Sequence, residues 1–92
     1  MAHVEVQLPS VFEPILGDER TVRVEADTLA GALAALVREK PELGVHLFDE
    51  SGGFREHVLC FHNGGNTRWL PSLDVPLAEG DTLTIMQAVS GG

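Results

Sequence analysis

Cysteines and cations are scarce in this 92-residue chain, and each scarcity closes off a class of function. Cys60 is the single cysteine. It can form no internal disulfide, and alone it cannot hold an iron–sulfur cluster or a structural zinc. Six Lys and Arg stand against 14 Asp and Glu, for a formal net charge of −8. That balance argues against nucleic acid as a partner, because phosphates are gripped by Lys and Arg; it suits solubility or a basic protein partner. No apolar run approaches membrane-spanning length, so no membrane role is expected. The opening Met1-Ala2-His3-Val4-Glu5-Val6 lacks the basic start and apolar stretch of a secretory signal, and the expected location is cytoplasmic. No internal repeat, low-complexity segment or linker interrupts the chain. With 43% hydrophobic residues the chain has material for one small core and no second domain.

The apolar residues are arranged with two periods. Val4, Val6 and Leu8 alternate with polar residues, the pattern of a half-buried strand that Pro9 ends. Ser10 to Glu19 contains Pro14, Gly17 and Asp18 and reads as a turn or short loop. Val22 and Val24 alternate again, so the first two strands are expected to form a hairpin. Asp27 and Thr28 then offer side-chain oxygens for a helix start. Leu29, Leu33, Leu36 and Val37 follow as one helical stripe, alanines fill the spaces, and Pro41 stops the helix. This is the one long helix the pattern predicts. Asp49 to Gly53 reads as an exposed turn. Val58-Leu59-Cys60-Phe61 reads as a strand, His62 to Asn66 as a tight turn, and Thr67-Arg68-Trp69 as a short returning strand. Leu73, Val75 and Leu77 flank Pro76 and are expected to be extended but outside the central sheet. Ala78 to Asp81 is a turn, and Leu83 and Ile85 alternate with Thr82 and Thr84 in a last strand running towards Val89. One helix on one face of a small sheet is the economical way to bury this pattern.

The chain ends at Gly91-Gly92. Glycine lacks a Cβ, so two of them carry a main-chain carboxylate on a stalk thin enough to enter another protein's active site. Taken with what precedes it, this end is informative. The run Pro76-Leu77-Ala78-Glu79-Gly80-Asp81, an apolar strand, and a small-residue tail closing in Gly-Gly resembles the MoaD/ThiS group of ubiquitin-like sulfur carriers. Asn63 after the third strand and the Thr28-Leu29 helix start fit the same group. The resemblance covers nearly the whole chain. It is closest to the MoaD-like branch serving cysteine biosynthesis, on the length of the strand–loop opening, Arg68 and the Ala-Val-x-Gly-Gly end. Three positions depart from the pattern: His62 takes a place that is usually aliphatic, Gln87 one where proline is common, and Ser90 one where Ala or Thr is common.

The resemblance implies an α+β, β-grasp domain over residues 1–88, a small mixed sheet of 4–5 strands with one main helix on one face, and a flexible tail over 89–92. It implies a carrier, not an enzyme, and no cofactor bound by this chain. An E1-like adenylating enzyme would use ATP and Mg²⁺ to activate the Gly92 carboxylate. A sulfur donor would convert it to a thiocarboxylate, and a sulfur-accepting synthase (cysteine-synthase-like, or a molybdopterin-synthase large subunit) would receive the sulfur for cysteine, molybdopterin or thiamine thiazole. Val89, Ser90 and Gly91 would carry Gly92 into the partner, an extended reach of roughly 13 Å for the four residues. Phe61, Trp69 and Asp81 are the candidate docking residues, and the free chain is expected to be a monomer. Two other uses of the same end remain open: a ubiquitin-like modifier conjugated through Gly92, and a non-covalent β-grasp interaction module.

Other candidate sites are weaker. Cys60 lies between Leu59 and Phe61 in a strand, where a thiol is expected to be buried and inert. His57, Cys60 and His62 do not share a strand face, because side chains alternate, so a metal site is not expected. Gly64-Gly65 lacks the following helix and Lys of a phosphate cradle and reads as a hairpin turn. Asp74, Glu79 and Asp81 gather acid near the tail, and turn chemistry explains them slightly better than docking does.

Overall fold

The computed structural model describes residues 1–17, 19–51 and 53–87, except the side chain of Trp69. Strand β1 (Ala2–Gln7) and strand β2 (Thr21–Ala26) form the expected antiparallel hairpin, in register from Ala2 opposite Ala26 to Gln7 opposite Thr21. The segment between them is more ordered than a loop. It holds a 3-10 turn (Ser10–Phe12) and a one-turn helix α1 (Glu13–Leu16). Pro14 sits near the start of α1, where its missing N–H costs nothing, and Gly17 ends it at φ 70°. Phe12 and Leu16, one helical turn apart, are the anchors that bury this segment.

Helix α2 (Leu29–Glu39) starts as its sequence indicates, with Thr28 Oγ1 accepting from the Gly31 N–H at 3.1 Å. Leu29, Leu33 and Leu36 are buried, and Ala32 and Ala35 fill the stripe. Pro41 ends α2 but also begins a further helix, α3 (Pro41–Leu47), beyond the one long helix that the sequence pattern predicts. Proline is well suited to a first helical turn, and Leu43 and Leu47 at i, i+4 are both completely buried. The Asp49 turn follows as expected, bracketed by a bridge between Phe48 and Phe54 whose rings stack at 4.9 Å.

Strand β3 (Val58–His62) turns through Asn63 (φ 50°) and Gly64 (φ 89°) into a two-residue strand, β4 (Gly65–Asn66). Positive φ at both central residues is the turn that matches strand twist, and Asn and Gly are the residues that accept it. Thr67-Arg68-Trp69 is not a strand. It coils into a 3-10 turn because Asn66 Oδ1 caps the Arg68 N–H at 2.9 Å and the Leu70 N–H reaches back to Thr67. The Leu73–Leu77 segment is extended and lies outside the sheet, with Leu77 N–H donating to Asp27 and Val75 accepting from Leu29.

The last strand, β5 (Thr82–Gln87), runs up the middle of the sheet, parallel to β1 and antiparallel to β3. The strand order is β2-β1-β5-β3-β4, with α2 buried against one face. This is the expected β-grasp architecture, with five strands and two helices beyond the one main helix.

Candidate functional site

Strand β5 carries the chain to its end, so what fixes β5 fixes where the tail starts. Leu83 and Ile85 point into the core, and Thr84 and Met86 therefore lie on the opposite, helix-free face. Register sets Phe61 opposite Thr84 and Leu59 opposite Met86. Phe61 and Leu59 are half-buried and Met86 is 48% exposed. A groove of about 420 Å³ beside this patch is lined by Pro9, Val11, Met86 and Gln87, with Val11 also exposed. The open face at the foot of the tail is thus apolar for several residues together. Of the expected docking residues, Phe61 belongs to it.

Asp81 has a different place. Its Oδ2 accepts from the Ala78 N–H at 2.9 Å and lies 2.8 Å from His62 Nε2, and its Oδ1 accepts from Asn63 Nδ2 at 3.0 Å. Only 15% of the side chain is exposed. Asn63 in turn accepts from the Thr82 N–H, and the Glu5 N–H donates to the Asp81 carbonyl. One turn therefore ties β1, the β3–β4 hairpin and β5 together just where β5 begins. His62, out of place as an aliphatic substitute, is explained by this contact. On the other side of the turn, Glu79 accepts from the His3 N–H at 2.9 Å and its carboxylate meets the His3 ring at 3.1 Å. Nothing in local sequence pattern pairs residues so far apart in the chain.

Those hydrogen bonds, the Ala78 N–H first, then Asn63 and His62, hold the Asp81 carboxyl down at about 2 from its ordinary 3.8. A carboxylate depressed in the folded state contributes stability above its unfolded pKa and loses it as pH falls through the folded value. Replacing Asp81 with Ala is expected to lower Tm at neutral pH by at least about 4 °C, and the deficit should shrink between about pH 4 and pH 2. Thermal melts of both proteins across that window check it; a deficit constant with pH would assign the loss to something other than the charge.

Cys60 is buried as expected, and burial pushes its thiol up to about 11, so it is no nucleophile at neutral pH. His57 is exposed and His62 is committed to Asp81. Among the described residues no three His, Cys, Asp or Glu are grouped to hold a metal ion. Asp74 takes no part in the Asp81 network; its N–H donates to Ser72 Oγ at 3.0 Å. Trp69 ends the Thr67–Trp69 turn, and the docking role expected of its side chain, like the roles expected of Val89, Ser90, Gly91 and Gly92, falls outside the described residues. No described helix is long and apolar enough to cross a membrane.

Residues 6–92 match the model of the ThiS family. The sulfur carrier protein CysO of Mycobacterium tuberculosis is 29% identical over 92 residues, which cover 98% of this chain and 99% of that protein. Among solved structures, SAMP1 from Haloferax volcanii superposes with a TM-score of 0.81 at 33% identity, over 99% of this chain and 100% of that one. The Amycolatopsis orientalis BexX/CysO complex gives 0.83 at 25% identity, over 97% and 99%.

Proposed function

The chain belongs to the ThiS family, and from that premise we propose that it is a sulfur carrier whose reactive group is the Gly92 carboxylate. The observation that carries this reading is that the family match runs through Gly91 and Gly92, on a domain that shares its fold and about a third of its residues with SAMP1 and CysO.

The chemistry follows from the group. An α-carboxyl with a pKa near roughly 3.5 is ionised at neutral pH and nucleophilic, but it is a poor electrophile. One carboxylate oxygen attacks the α-phosphorus of ATP held with Mg²⁺ by an activating enzyme, and the bond to pyrophosphate breaks. Hydrosulfide or an equivalent sulfur donor then adds at the carbonyl carbon, and AMP leaves with that oxygen. The product is a thiocarboxylate. Splitting one hard substitution into two easier ones is the usual gain of a covalent intermediate. No side chain of this protein acts as acid or base; the chain is acted upon. The apolar patch of Phe61, Leu59 and Met86 and the Val11 groove supply the docking surface beside the tail. On the likeness to CysO, the recipient is the cysteine-forming step, with a cysteine-synthase-like enzyme taking the sulfur.

Incubation with an E1-like enzyme, ATP and sulfide, followed by intact mass measurement, tests the proposal. Exchange of one oxygen for one sulfur at the C-terminus is expected. An unchanged mass, with an enzyme that loads a known carrier in the same tube, would refute it. The likeness to SAMP1, a small archaeal modifier protein, favours a second reading. In that reading the activated Gly92 is captured by lysine amines, and isopeptide-linked adducts in cells distinguish it.

A further inference from the structure

Strand β2 is one edge of the sheet, and no strand covers its outer side among the described residues. The Leu8 N–H donates to the Arg20 carbonyl at 2.7 Å, which sets the phase of the antiparallel ladder. With the register from Gln7–Thr21 to Ala2–Ala26, the residues Val22, Val24 and Ala26 turn their main-chain groups towards β1. Thr21, Arg23 and Glu25 turn theirs outward, and all three are exposed. The other edge, β4, is only two residues long. Edge strands are normally guarded against pairing by Pro, bulges or charged side chains. Here β2 has neither Pro nor bulge, and its outward charges alternate, Arg23 then Glu25.

We propose that β2 pairs antiparallel with β2 of a second copy of this chain, in the register that sets Arg23 of each copy opposite Glu25 of the other. The two-fold axis then passes at Val24. Since only Thr21, Arg23 and Glu25 offer free main-chain groups, the neighbouring registers place Arg23 opposite Arg23 or Glu25 opposite Glu25, and like charges directly opposed are unfavourable. The favoured register also continues pairs already present. Within one chain Arg23 meets Glu5 at 3.4 Å and Glu25 meets His3 at 2.8 Å. Across the dimer each row reads Glu5, Arg23, Glu25, His3, with a sign change at every step when His3 is protonated. On the core side Val22 meets Ala26 and Val24 meets its own copy.

Net charge favours this edge over the rest of the surface. Two chains of −8 repel, but Arg20, Arg23, Arg38 and Lys40, four of the six cations, line the two grooves between β2 and the end of α2. A single strand pair buries less than the ~1,200 Å² of a stable interface, so the dimer forms at high concentration and the dilute chain is a monomer.

Sedimentation equilibrium of the full chain from roughly 1 μM to 1 mM tests this. The wild type is expected to dimerise, and R23E and E25R each to raise Kd about 10-fold or more. An equimolar mixture of the two variants is expected to recover dimer, because both pairs opposed across the interface are then again of unlike sign. Amide exchange at Arg23 and Glu25 in the wild type should slow as concentration rises, a reading that needs no variant. A wild type monomeric throughout, variants that dimerise as the wild type does, or a mixture that stays monomeric would each overturn the proposal.

Discussion

Deleting Gly92 is expected to cut sulfur loading by at least about 100-fold while leaving Tm unchanged. The shortened chain still ends in a glycine carboxylate, so its intrinsic chemistry is the same. What changes is reach. One extended residue is about 3.4 Å, and a misplacement of about 1 Å can already cost roughly 100-fold when a reacting group must be presented in line. The globular part docks as before, because Phe61, Leu59 and Met86 are untouched. The expected pattern is therefore full competition with the wild type for the activating enzyme without turnover. Loading rates from intact mass, and inhibition of wild-type loading by the shortened chain, measure the two halves separately. Normal loading of the shortened chain would mean that the carboxylate's position does not matter, and the carrier reading would fall with it. Unchanged Tm is expected because, among the described residues, the buried core lies between Val4 and Ile85.

How far the sequence reveals this molecule depends on the range of the interaction that decides each part. Alternation at Val4, Val6, Val22, Val24, Leu83 and Ile85 is local, and each of these residues faces inward as read, with Val22 half-buried. The Thr28 cap and the Asn63-Gly64 turn are also settled by near neighbours, and both are where the pattern puts them. The two short helices that the pattern does not show have one cause. Pro14, Gly17 and Pro41 read as breakers in the sequence, although proline in a first helical turn starts a helix as readily as it ends the one before. Leu43 and Leu47 carried the signal for α3, but two leucines one turn apart are a short periodicity. Thr67 to Trp69 misled in another way, because its coil is fixed by the Asn66 side chain and by the Thr67 hydroxyl donating to the Cys60 carbonyl. The β-branched residue suggests a strand; the contacts override it. At the site, Phe61 and Asp81 are legible from sequence, as are Asn63 and His62, yet the pairing of the last two with Asp81 is not. His62 to Asp81 and His3 to Glu79 are meetings across the sheet that no spacing rule announces.

Leu83 is where local pattern and global topology coincide, and its truncation should be the most damaging single change in the sheet. It has no exposed surface, and it sits on the central strand, opposite Val6 on β1 and His62 on β3. A side chain held from both sides leaves a cavity that neighbouring strands cannot close without breaking their own pairing. Leu83→Ala is therefore expected at the upper part of the usual range, about 3–5 kcal/mol, with Tm lower by about 15–30 °C for a domain of this size. That is a large fraction of the roughly 5–15 kcal/mol that a small domain has in total. Met86→Ala, three residues along the same strand on the open face, should cost less than about 0.5 kcal/mol, as exposed sites generally do. Chemical denaturation of the pair gives both numbers in one experiment. Comparable losses at the two positions would mean that the face carrying Met86 is covered in the free protein, and it would then not be available for a partner to dock.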